Sequence, residues 1–160
     1  MSKPTTVNLV AATNPDGTPF YESVLVEHIG PQRYLVLASP GLLEGFAAGD
    51  EIELVPEQGS GYRVTKRGGN VCVQFFWNAD ESRPWLEPRV AALGGRLDGQ
   101  TPGILVFTIP VTAGFPAIES IFYEADKRYP GCKWMYGNVY DPVDGVTQLN
   151  WWLQSGAERD

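Results

Sequence analysis

His28 is the chain's only histidine, and so the only side chain whose type suits it to serve as a base for a serine or cysteine nucleophile near neutral pH. It closes a run that reads as a strand, which makes it an exposed strand-end residue rather than a catalytic base. The two cysteines, Cys72 and Cys132, have no CxxC spacing and no second histidine to activate them, so both read as reduced, buried or half-buried thiols. Metal ligation fares no better. One histidine and two distant cysteines leave only carboxylates, and Asp50-Glu51-Ile52-Glu53 puts Glu51 and Glu53 on one strand face without an evident partner set. Gly59-Ser60-Gly61 and Gly68-Gly69 lack the strand-loop-helix setting and the lysine of a phosphate cradle, and read as turns. No metal, cofactor or catalytic residue is expected.

The elements that must position any site fall into two parts. From Asn70 to Tyr140 the pattern is strand, helix, two strands, helix, strand, a split βαβ sandwich. Asn70–Trp77 alternates Val71, Val73, Phe75 and Trp77 with the other parity. A helix opened by Pro84 carries Leu86, Val90 and Leu93 and ends at Gly94-Gly95. Arg96–Gln100 and Ile104–Val111 are the next two strands, joined by Thr101-Pro102-Gly103. Pro116 opens a second helix with Ile118, Ile121, Phe122, Ala125 and Tyr129 on one face, and Cys132–Tyr140 is the last strand. In a ferredoxin-like spatial order of fourth, first, third, second, the two most apolar strands lie in the middle. Cys72 and Cys132 would then sit on neighbouring strands at opposite ends, out of reach of each other.

Residues 1–67 read as short strands and turns: Val7–Ala12, Phe20–His28, Arg33–Ala38, Glu51–Val55 and Tyr62–Lys66, with a helical turn at Leu42–Phe46. Together they suggest a small, partly open β-barrel packed on residues 68–160 in one compact α+β unit. Thr147–Leu153, with Trp151 and Trp152, reads as a closing strand, and the tail Ser155–Asp160 as frayed.

Twelve Lys and Arg against nineteen Asp and Glu give a net charge of -7, which disfavours a nucleic-acid backbone binder and reads either as simple solubility or, more sharply, as a protein whose partner is basic. With no signal peptide and no run of transmembrane length, a cytoplasmic location is expected.

Pro40–Asp50 reads Pro-Gly-Leu-Leu-Glu-Gly-Phe-Ala-Ala-Gly-Asp. It follows a Glu-x-x-x-Val-Glu run (Glu22, Val26, Glu27) and Tyr34-Leu35-Val36-Leu37, and it precedes Arg67-Gly68-Gly69-Asn70-Val71. That order resembles a bacterial family, domain of unknown function 4265, over nearly all of the chain. The resemblance implies a small cytoplasmic bacterial protein and no assigned activity.

Two functional expectations follow. The first is a non-catalytic protein-binding module, in its most concrete form an immunity protein whose acidic surface (Glu44, Asp50, Glu51, Glu53, Glu57) meets a basic toxin domain. The second is a small-molecule sensor or minor enzyme with a pocket between barrel and sheet near Tyr62, Trp134, Tyr136 and Trp151. Strand parity places Phe76, Val106, Trp134 and Tyr136 together on the sheet face away from the helices, where the amino-terminal half is expected to cover them.

Overall fold

The computed structural model describes residues 3–56 and 61–154. Its first part is a five-stranded sheet formed by β1 (Pro4–Thr13), β2 (Pro19–Gly30), β3 (Arg33–Val36), β4 (Glu51–Leu54) and β5 (Tyr62–Lys66). The strands lie side by side in chain order, and every neighbouring pair is antiparallel. The sheet is open, and the expected barrel-like closure is absent. Strands β3 to β5 span only four or five residues against ten and twelve in β1 and β2, too unequal to bring the β1 edge round to β5 with a consistent stagger. What covers its inner face is the connection between β3 and β4, whose Leu43 and Phe46 pack on Val24, Val26, Val36 and Ile52. That connection runs as bends and turns, without the helical turn expected at Leu42–Phe46.

The second part is a four-stranded sheet of β6 (Asn70–Phe76), β7 (Arg96–Thr101), β8 (Ile104–Pro110) and β9 (Lys133–Tyr136), in the order β7-β8-β6-β9. All neighbours are antiparallel, and Val73 lies directly opposite Phe107. The two most apolar strands are therefore central, as their composition requires. Helices α1 (Ala79–Ala92) and α2 (Phe115–Arg128) pack on one face, where Val71, Val73, Phe75, Leu105, Phe107 and Ile109 meet Leu86, Val90, Ile118 and Phe122. Burying each such side chain stabilises the fold by about 1.5–3 kcal/mol.

Three elements depart from expectation. Helix α1 starts at Ala79, so Pro84 sits inside it with Pro88 rather than in its first turn. Its end is as predicted: Gly94 N–H donates to Ala91 O and Gly95 N–H to Val90 O, the paired bonds that an αL glycine permits. Strand β9 stops at Tyr136 because the buried Asn138 takes over the pairing, its Oδ1 accepting from Cys72 N–H (2.9 Å) and its Nδ2 donating to Asn70 O (2.9 Å). Instead of a closing strand, the chain makes one bridge between Tyr140 and Gln148 and then a helical turn, α3 (Trp151–Gln154). Adjacent Trp151 and Trp152 are both buried, which a strand with one covered face does not allow.

The helix-free face of the second sheet is covered by residues 39–48, as expected of the amino-terminal half. The join is polar. Gln74, fully buried in β6, donates from Nε2 to the carbonyls of Pro40 (3.1 Å) and Leu43 (3.0 Å). Asp98 accepts from the Thr108 hydroxyl (2.5 Å) and from Ser39 N–H (2.8 Å), while Ser39 Oγ lies 2.6 Å from Thr108 and accepts from Ala48 N–H. Near the same seam Gly49 and Gly68 touch backbone to backbone: a Cβ on Gly68 would lie 2.3 Å from the Gly49 carbonyl oxygen. Only glycine fits there.

Both cysteines are free; Cys72 is buried and Cys132, one residue ahead of β9, is half-buried. Burial pushes the Cys72 thiol far above its ordinary value, and burial followed by the nearby Asp126 charge raises Cys132. The reactive thiolate is scarce at both. In native protein at pH 8, iodoacetamide followed by mass spectrometry should modify Cys132 slowly, faster as pH rises, and leave Cys72 untouched until denaturant is added. Labelling of both at equal rates in native protein would contradict this burial. Among the described residues, no helix is long and apolar enough to cross a membrane.

Candidate functional site

Strand β9 is an edge strand, and along it runs a cleft of about 420 Å³ lined by Glu44, Glu119, Tyr123, Trp134, Tyr136 and Tyr140, among others. Trp134 and Tyr136 stand on the helix face. In register Trp134 lies opposite Phe75 and Tyr136 opposite Val73, and directly paired residues share a face. This corrects the expectation that grouped them with Phe76 and Val106 on the other face. Trp134 packs against Phe122 with ring centroids 5.4 Å apart. Tyr123 and Tyr136 each meet the indole nearly at right angles, at 5.3 Å.

The carboxylates come from two directions. Glu119 and Tyr123 are four residues apart on α2 and therefore share a stripe beside its buried one. Glu119 accepts a hydrogen bond from the Tyr136 hydroxyl (2.9 Å), which fixes that ring. Burial, then this bond to Glu119, raises the Tyr136 pKa well above the phenol range. Glu44 arrives on the connection from the first sheet, and its main chain is held from several sides. Tyr62 Oη donates to Glu44 O (3.0 Å), Gly45 N–H to Gly137 O (2.7 Å), and Arg67 Nη1 to Gly45 O (2.8 Å). Partial burial raises the Glu44 pKa. Among the described residues lining the cleft none is basic.

The residues expected to form an aromatic pocket are thus only partly brought together. Trp134 and Tyr136 line the cleft, whereas Tyr62 packs edge-on against Phe46 (5.2 Å) and acts at one remove by holding Glu44. Its burial, then the charges of Glu44 and Glu22, push its hydroxyl up to about 12. Trp151 is buried, donating from Nε1 to Asn138 O (2.8 Å), with the Arg67 guanidinium 5.7 Å from its ring.

One residue of the expected acidic surface is buried. Asp50 is 1% exposed, accepting from Ala47 N–H, Gly68 N–H and Arg67. Glu51 and Glu53, read from sequence as a strand face without a metal-binding partner set, pair with Arg33 (3.1 Å) and Arg63 (2.6 Å). Glu57 lies outside the described residues, as does the tail 155–160. Glu119, Tyr123 and Tyr140 were not singled out by sequence. The i, i+4 spacing of Glu119 and Tyr123 was the available signal. His28 is exposed near the end of β2 with its ring 5.2 Å from that of Tyr34.

A second concavity, about 490 Å³, lies between the two sheets, with Phe20, Leu25, Leu42, Ile104 and Val106 on its walls and Asp98 at its side. Glu22, also in its lining, accepts from the successive N–H groups of Gly41, Leu42 and Leu43. Chemically the two clefts differ. The one at β9 offers aromatic faces and carboxylates, the components that attract an organic cation, whereas the inter-sheet one offers mainly apolar wall.

No curated protein matches this chain. Among solved structures, one titled "Novel crystal structure of a hypothetical protein from Neisseria gonorrhoeae" superposes with a TM-score of 0.60 at 12% identity, covering 86% of this chain and 94% of that one, a likeness of fold alone. The family model described as Domain of unknown function (DUF4265) matches residues 22–129, less than the nearly full length its motifs suggested. The match takes in Glu44, Glu119 and Tyr123 of the cleft and stops short of β9. Since it spans about two thirds of the sequence, the chain belongs to the family of domain of unknown function 4265.

Proposed function

We propose that this protein is a non-catalytic binding module that takes a positively charged group of a partner protein into the cleft along β9. The observation that carries the reading is the meeting of Trp134, Tyr136 and Tyr123 with Glu44 and Glu119 in a concavity whose described lining has no basic side chain. Aromatic side chains at such a site supply large contact area at low entropic cost, and a net charge of -7 steers a basic partner toward it. An immunity-type protein covering a basic toxin domain in the cytoplasm is the most concrete form. The carboxy-terminal half is read as ferredoxin-like, a reading supported by its β7-β8-β6-β9 order and two helices on one face.

Affinity capture from the native host, with tagged wild type beside Tyr123→Ala and Glu44→Gln, tests it. The expected result is one stoichiometric basic protein held by the wild type and weakened at least several-fold by either substitution. Absence of a stoichiometric partner overturns the reading, and equal retention by all three proteins removes the cleft from it. The concavity between the sheets favours a second reading, a small-molecule sensor or minor enzyme with an apolar ligand. A ligand that protects Leu42 and Ile104 from exchange, with no protein partner captured, would favour it.

A further inference from the structure

Resting on the proposed function, we infer that the group received at β9 is an N-methylated ammonium ion, preferred over a bare primary ammonium. A primary ammonium brings three N–H donors that each need an acceptor, whereas a trimethylammonium brings none and presents a diffuse positive surface. The cleft is built for the second. Its walls are mainly ring: Tyr123 and Tyr136 stand at 79° and 86° to the Trp134 indole, so the three rings present surfaces in different directions around one hollow. One polar end of the lining is already engaged. The Tyr136 hydroxyl donates to Glu119 Oε2, so this mostly buried ring reaches the hollow by its side rather than by a free hydroxyl, and the Glu119 carboxylate lining the same hollow supplies negative charge. Glu44, a half-buried residue of the same lining, adds a second negative charge in a partly desolvated position.

Two of the chain's other tryptophans, Trp85 and Trp151, treat cations differently. Guanidiniums of Arg89 and Arg128 lie 4.1 and 5.0 Å from the Trp85 ring, and that of Arg67 lies 5.7 Å from Trp151. Those rings meet the chain's own cations. At about 420 Å³ the hollow has room for the headgroup and the stem that carries it.

The test is calorimetric titration of the full chain with tetramethylammonium, choline, a trimethyllysine peptide and the same peptide with unmodified lysine, with the indole N–H of Trp134 followed by NMR. The methylated probes should bind about tenfold or more tightly than unmodified lysine and shift the Trp134 signal. A tighter peptide than choline would make the source a modified protein, and the reverse a free small molecule; either supports the inference. Tyr123→Ala, at a ring 56% exposed, should reduce affinity several-fold without loss of folding, and Trp134→Phe should reduce it less than Trp134→Ala. Equal or tighter binding of unmodified lysine, or no shift at Trp134 with any probe, overturns it. If the native partner is captured but methylation makes no difference, this inference fails and the binding reading stands. If methylated probes bind and no partner is captured, the binding reading fails and the site remains.

Discussion

Replacing Asp50 by alanine should lower the free energy of unfolding by about 3–5 kcal/mol, the range for removing one member of a buried ion pair. Asp50 is the centre of a clasp. Its Oδ2 accepts from Ala47 N–H (3.0 Å) and lies 3.3 Å from Arg67 Nη1, and its Oδ1 accepts from Gly68 N–H (2.8 Å). Removing the carboxylate leaves two amides and a guanidinium without their acceptor. Arg67 is a quarter exposed and still bonds Gly45 O, so water can partly compensate it, which favours the lower half of the range. Asp50→Asn keeps one oxygen for Gly68 and should cost about half as much. Urea denaturation decides it: the midpoint should fall with an unchanged slope. A loss under about 1 kcal/mol would show that the clasp contributes little.

The second large effect is at Phe122. Its side chain is fully buried, with ring centroids 5.4 Å from Trp134, 5.8 Å from Phe107 and 6.4 Å from Phe75. Phe122→Ala removes the body that joins α2 to the three strands β6, β8 and β9, and the cavity left behind should cost about 3–5 kcal/mol. For a chain of this size the melting temperature should drop by on the order of 10 °C. Because Trp134 rests on Phe122, its emission should shift to the red even well below the melting point. Phe122→Leu should recover most of the stability. An alanine variant that melts with the wild type would mean that this ring is not part of the shared core.

How far the sequence reveals this fold can be followed residue by residue. The strand and helix order from Asn70 onward was legible because β6 and β8 are continuous apolar runs and α2 repeats its apolar residues at helical spacing. The sidedness of β9 was not. Alternation separates Trp134 and Tyr136 from Lys133 and Met135, but which pair turns toward the helices depends on the register with β6, and that pairs Trp134 with Phe75 and Tyr136 with Val73, far back along the chain. Asp50 looked like its neighbours Glu51 and Glu53, since burial of one carboxylate in three is decided by contact with Gly68 and Arg67, far along the chain. The motifs behind the family resemblance were read as separate turns. In space Gly49-Asp50 and Arg67-Gly68 are one joint, with a glycine on each side because the backbones touch.

The polar seam beneath residues 39–48 bears on how the polypeptide could be divided. Gln74 and Asn138 belong to the part of the chain that carries the second sheet, yet Gln74 bonds carbonyls of the first part, and Gly45 bonds Gly137 from the other direction. A fragment ending after Lys66 would bare Leu43 and Phe46, and its complement would leave Gln74 without its carbonyl acceptors and Thr108 without Ser39, though still bonded to Asp98. Two such pieces should be poorly folded apart and regain structure only when mixed, so that splitting the gene at this point gives a complementation pair rather than two autonomous proteins.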